Sequence, residues 1–198
     1  MRFTILALVL AVILALAGLP AGAGSRAWTA PLAGLKPHTG QVGLDFHLLG
    51  DEKEHSLPAL EVTTVYAFTP AFALSVSSMG VYYPGQNSRG IDHLGLLWRY
   101  SPGITGSLGW HSQVANGGTN SRAGGPEAGL NLSTSLGSNT AGFAQGYLAY
   151  LPGRLAGGYM LGASTRILPE WSFNLSYRSD ILDTAKSGFG LGFAFTYP

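Results

Sequence analysis

From Gln41 to Tyr197, large apolar side chains recur at every second position, the period of a β-strand with two unlike faces. In 41–49, Val42, Leu44, Phe46 and Leu48 oppose Gly43, Asp45 and His47. In 60–68, Leu60, Val62, Tyr66 and Phe68 oppose Glu61, Thr63 and Ala67. Past Thr69-Pro70, Phe72, Leu74 and Val76 oppose Ala73, Ser75 and Ser77, and in 91–100 Leu94, Leu96, Trp98 and Tyr100 oppose His93, Gly95 and Arg99. Past Ser101-Pro102-Gly103, Ile104, Leu108, Trp110 and Val114 oppose Thr105, Ser107, His111 and Gln113. Leu130 and Leu132 then oppose Asn131, Ser133 and Ser135; Tyr159, Leu161 and Ile167 oppose Gly162, Ser164 and Arg166; Trp171, Phe173, Leu175 and Tyr177 oppose Ser172, Asn174, Ser176 and Arg178. The last strand sets Phe189, Leu191, Phe193, Phe195 and Tyr197 against Gly188, Gly190, Gly192, Ala194 and Thr196. Segment 141–151 reads equally with either parity around Gln145.

The pattern predicts ten strands in one closed antiparallel sheet, with eight as the alternative if 128–151 is a loop. Turn signals at Thr69-Pro70, Ser101-Pro102-Gly103, 137–140 and Pro169 fall at alternate connections. The other connections are expected near 50–58, 84–90, 115–126, 152–157 and 179–186, all short.

Composition decides which face meets which medium. Only 11% of the 198 residues are charged, against about 25% in a typical soluble domain. Glycine, at 29 residues, is about twice its usual share. The polar faces carry mostly Gly, Ala, Ser and Thr, which suit a cramped lumen better than a solvated surface. An all-β transmembrane barrel follows, with bulky residues on lipid and small or polar residues inside. A one-residue slip would turn Asp45, Arg99, Arg166 and Arg178 outward, and an arginine near the bilayer midplane costs about 2–4 kcal/mol. Aromatics near strand ends (Tyr66, Phe68, Tyr82, Tyr83, Trp98, Tyr100, Tyr147, Tyr150, Trp171, Tyr177 and Tyr197) are expected as girdles at headgroup level.

The chain opens with Arg2, an apolar run from Ile5 to Leu19 and small residues at Ala21-Gly22-Ala23, the pattern of a secretory leader cut after residue 23. Residues 24–38 are expected as a periplasmic segment and 39–198 as the barrel. With no cysteine there is neither a disulfide framework nor a lipidated cysteine. A net charge of +1 offers nothing to nucleic acid.

The terminal strand resembles the C-terminal assembly signal of bacterial outer-membrane proteins, a glycine followed by spaced aromatics, here Gly192, Phe195 and Tyr197. Pro198 follows the last aromatic, and Gly190 stands where a polar residue is usual. The region after the leader is similar to small bacterial outer-membrane β-barrel proteins, without matching one subfamily. The resemblance implies outer-membrane lipids, lipopolysaccharide and the barrel-assembly machinery as partners, and no cofactor.

Inward ionisable and polar residues are Asp45, His47, Glu61, His93, Arg99, His111, Gln113, Arg166 and Arg178, with Glu127 near a loop. They read as an internal network plugging a lumen filled by small and charged side chains, the alternative being a narrow hydrated pore. The role is then structural, binding or narrow-channel, and not enzymatic. The rival class is a lipid hydrolase. His111-Ser112 followed by Asn116 is similar to the His, Ser and Asn of outer-membrane phospholipases and lipid A deacylases. That chemistry needs base and nucleophile two apart on one face, whereas adjacent residues point to opposite faces. Asp45 with His47 resembles the Asp–His pair of omptin proteases, without their second acidic pair. A metal at His47, His93 and His111 would require them at one level of the barrel, and none is assigned.

Overall fold

The computed structural model describes residues 36–50, 56–83, 89–115, 121–180 and 186–198. The expected leader, residues 24–35 of the expected periplasmic segment, and residues 51–55, 84–88, 116–120 (with Asn116) and 181–185 of the connections lie outside the described residues. Ten strands form one closed antiparallel barrel: β1 Thr39–Gly50, β2 Ser56–Ala67, β3 Phe72–Val81, β4 Arg89–Ser101, β5 Ile104–Ala115, β6 Ser121–Ser135, β7 Thr140–Leu151, β8 Arg154–Arg166, β9 Trp171–Asp180 and β10 Lys186–Tyr197. Each pairs with its chain neighbours, and β1 pairs with β10 from Gly40↔Tyr197 to Gly50↔Ser187, so no edge is left for further strand addition.

Alternation sorts the two media as expected. Leu44 and Phe46 are each 50% exposed, whereas His47 between Phe46 and Leu48 is 0% exposed. The outer wall shows the same row on β9 and β10, where facing aromatics meet: Trp171 on Phe195, Phe173 on Phe193 and Tyr177 on Phe189, with ring centroids 5.0–5.4 Å apart. Such pairs add about 0.5–1.5 kcal/mol each beyond burial. The bare inner face of β10 has an equally direct cause. A Cβ at Gly190 would run into the His47 ring, and one at Gly192 into the Asp45 carboxylate. The last strand is small inside because β1 fills that space.

One end of the barrel carries tight turns. At Thr69-Pro70 the Thr69 hydroxyl accepts from the backbone N–H of Ala71 and Phe72, at 3.2 and 2.9 Å. At Pro102-Gly103, proline sets the first φ and Gly103 takes φ 85°, the combination a type II turn requires. The opposite end is less loop-rich than expected. Instead of a 152–157 loop, Pro152-Gly153 makes a two-residue turn with Gly153 at φ 77°, and β8 starts at Arg154. Likewise β6 starts at Ser121 rather than after 126, and β9 continues to Asp180.

The ambiguous strand resolves as β7. Phe143, Gln145, Tyr147 and Leu151 share the inward parity, while Leu148 and Tyr150 face outward. Tyr147 is therefore a lumen residue and not part of a girdle. Its outward alternates are Gly146 and Leu148, so lipid contact is kept by Leu148 and Tyr150 while the lumen gains two rings.

The lumen is also not filled by small and charged side chains alone. Leu49, Leu57, Ala59, Met79, Val81 and Ile91 form a buried apolar cluster on β1–β4 at the loop end. Ala149, Leu151 and Ala156 form another across β7 and β8. Val65, Ala67, Ala73 and Leu97 pack at the turn end. Apolar packing thus flanks the polar middle of the barrel.

Candidate functional site

The polar middle is assembled by register. His93 on β4 and His111 on β5 are direct cross-strand partners, and Gly109↔Glu127 places Glu127 on β6 one step away. His93 Nδ1 lies 2.5 Å and His111 Nδ1 3.2 Å from Glu127 Oε2, with the two ring nitrogens 3.3 Å apart. Tyr147 completes this side: its ring stands 5.2 Å from that of His93 and 5.6 Å from that of His111. The Tyr147 hydroxyl then donates to Asp180 Oδ1 at 3.3 Å. On β9, Arg178 Nε donates to Asp180 Oδ1 at 3.4 Å and Arg178 Nη1 to Glu61 Oε2 at 3.1 Å. His47 Nε2 lies 3.2 Å from the same Glu61 oxygen, close but without the alignment of a hydrogen bond.

These contacts make one continuous chain from β1 and β2, through β9 and β7, to β4, β5 and β6. It follows the strands in order round the barrel, with Arg178 reaching past β10 and β1 to Glu61 and Tyr147 past β8 to Asp180. A second layer sits nearer the loop end. Arg89 Nη2 and Arg154 Nη2 both donate to Gln113 Oε1, at 2.5 and 2.8 Å, and the Gln113 amide nitrogen meets His111 Nε2 at 3.0 Å.

Beside this chain lies a cavity of about 200 Å³, lined among others by Asp45, Glu61, His93, Glu127, Tyr147 and Arg178. None of the six residues of the loop-end apolar cluster lines it. Its walls mix these polar groups with apolar ones such as Val65, Leu97 and Phe143, and its size leaves room for several waters at the polar side.

The residues singled out from alternation all take the inward parity, but they do not all meet. His47, Glu61, His93, His111, Gln113 and Arg178 belong to the two layers just described. Asp45 leans over Gly192 and does not partner His47, whose contact is Glu61. Arg99 and Arg166 stand at the turn ends of β4 and β8. His111 and Ser112 diverge as their adjacency requires: His111 is buried in the lumen, and Ser112, on the outer parity, accepts from Arg122 Nε at 3.2 Å. No bulge interrupts β5 there to realign them. Gly192, Phe195 and Tyr197 lie on β10, the glycine inward and the aromatics outward.

Tyr147, Asp180, Arg89 and Arg154 went unrecognised as parts of these layers. Tyr147 was hidden by the double parity of its strand, and the other three by strands that run further toward the loop end than their glycines and prolines suggest. Glu127 carried a usable signal, because it keeps the inward parity of Asn131, Ser133 and Ser135.

No protein-family model matches this sequence, and no curated protein matches it. Solved structures similar to it include one from the de novo design of transmembrane β-barrels, at 12% identity and TM-score 0.47, covering 82% of this chain and 98% of that one. The N-terminal β-barrel domain of Pseudomonas aeruginosa OprF is 13% identical with TM-score 0.41, covering 82% and 100%. The NanC porin is 8% identical with TM-score 0.47, covering 78% and 98%. At these values the barrel is established by its own closed ladder, a lipid-facing apolar wall of ten antiparallel strands around a polar and apolar lumen.

Proposed function

We propose that this chain is a bacterial outer-membrane barrel with a closed lumen, acting as a rigid lipid-embedded scaffold rather than as a channel or a lipid hydrolase. The observation that carries this reading is the chain of inward side chains that bridges non-adjacent strands, with Arg178 on β9 joined past β10 and β1 to Glu61 on β2 at 3.1 Å and Tyr147 on β7 reaching Asp180 past β8. Inward side chains that reach one another past intervening strands fill space a solute would need. The apolar cluster of Leu49, Leu57, Met79, Val81 and Ile91 supports the same conclusion, because a dry patch next to the loop end raises the barrier to hydrated ions.

The outer-membrane assignment is supported by the apolar outer wall and by the glycine and spaced aromatics of β10. In this reading the outer wall contacts phospholipid and lipopolysaccharide acyl chains. Phe195, exposed on the last strand, and the half-buried Tyr197, with Gly192 between β1 and β9, are what the assembly machinery reads. Against hydrolysis stands the outward turn of Ser112, which leaves His111 no hydroxyl nucleophile at the spacing the lipid hydrolases use.

The test is single-channel recording in planar bilayers with refolded protein that migrates as a heat-sensitive folded band. Silence across the voltage range is expected. Reproducible conductance steps from the folded form would refute the closed lumen.

A further inference from the structure

We propose that His93, His111 and Glu127 form a binding site for a divalent cation of the zinc class. The three ligand atoms come from three adjacent strands and lie within 4.8 Å of one another. Metal bonds of about 2.0–2.2 Å place tetrahedral ligand atoms about 3.3–3.5 Å apart. Two of the three separations already stand at 3.2 and 3.3 Å. The third, His93 to Glu127 at 2.5 Å, is a hydrogen bond that must open by about 0.9 Å, a side-chain rotation by two residues that face the cavity. The cavity supplies room for water as the fourth ligand. Two imidazoles with one carboxylate select zinc-like ions over calcium or magnesium, which prefer oxygen donors throughout.

The neighbours of His111 set how tightly the ion is held. To ligate through Nδ1, a histidine must lose the proton there and carry it on Nε2, where an acceptor normally receives it. Gln113 presents its amide nitrogen to His111 Nε2, because Arg89 and Arg154 both hold its oxygen. That arrangement favours the proton on Nδ1, pointing at Glu127. Metal binding therefore moves the His111 proton from Nδ1 to Nε2, and requires the Gln113 amide to turn so that its oxygen receives it. A carboxylate at 113 would receive the Nε2–H while keeping both arginines, so Gln113→Glu is expected to tighten binding about tenfold or more. The inference is independent of whether the lumen conducts.

The experiment is a titration of the refolded, tag-free full chain with Co²⁺, followed by its visible ligand-field absorption, with Zn²⁺ as competitor. Expected are saturation at one equivalent, displacement by Zn²⁺, loss of the signal in His93→Asn and Glu127→Gln, and tightening in Gln113→Glu. Only variants with the heat-sensitive folded band are scored. If none folds, protection of His93 by Zn²⁺ against diethyl pyrocarbonate in the unaltered chain decides the matter. The proposal is overturned by the absence of saturable binding in the unaltered chain, by a signal that survives both ligand substitutions, or by unprotected His93 at saturating Zn²⁺. In each case the three groups are a hydrogen-bonded cluster and no more.

Discussion

Replacing Arg178 by methionine tests whether the lumen is packed or wet. The substitution keeps an unbranched side chain of similar reach and removes the charge. Arg178 is only 7% exposed in its side chain and Glu61 12%, and their charged atoms are 3.1 Å apart. At that separation the attraction is about 5 kcal/mol for an effective dielectric constant near 20, and only about 1 kcal/mol in bulk water. Removing one member of a buried pair leaves the other charge uncompensated, which costs about 3–5 kcal/mol. Asp180, 3.4 Å from Arg178 Nε, loses a donor as well but keeps the Tyr147 hydroxyl. Arg178→Met is therefore expected to destabilise the barrel by about 3–5 kcal/mol. Adding Glu61→Gln should recover about 2 kcal/mol, since the stranded carboxylate is gone. Urea unfolding from lipid vesicles, followed by tryptophan fluorescence, measures Arg178→Met, Glu61→Gln and the double variant. A loss below about 1 kcal/mol for Arg178→Met, with no coupling to Glu61, would mean that water solvates these groups. The closed-lumen reasoning would then fail.

Other expectations use the same assay. Leu44 is the middle of β1 and half exposed on the outer wall, so Leu44→Arg should cost about 2–4 kcal/mol in vesicles; a neutral result would deny that this face meets the bilayer core. Gly190→Val places new carbon against the His47 ring and the Ser176 hydroxyl, and overpacking of that kind should cost about 1–3 kcal/mol. Unchanged stability there would show that β1 and β10 are not seated as closely as their register implies.

The strands and their faces were legible because alternation is a local property. Leu44 and Phe46 point one way and Asp45 and His47 the other whatever the rest of the chain does, and the charges at Asp45 and Arg178 forbid the opposite choice in lipid. The count of ten followed from turn residues such as Pro102-Gly103. Local signals were weakest in strands built of small residues. In β6 and β7, glycine and alanine on both faces let Tyr147 read as a girdle residue and made 121–126 look like a loop, although Arg122–Pro126 complete a ladder with β5.

Partnership inside the lumen is a different kind of quantity. Sliding one strand by two residues preserves every inward and outward assignment, yet changes every neighbour a lumen side chain meets. That offset is set by closure of the whole sheet, from β1 on β10 around to β2, and no single segment contains it. Alternation therefore placed His47, Glu61, His93, His111 and Arg178 inside. Closure then chose Glu61 rather than Asp45 for His47, sent Arg178 across to β2, and brought His93 and His111 onto one carboxylate.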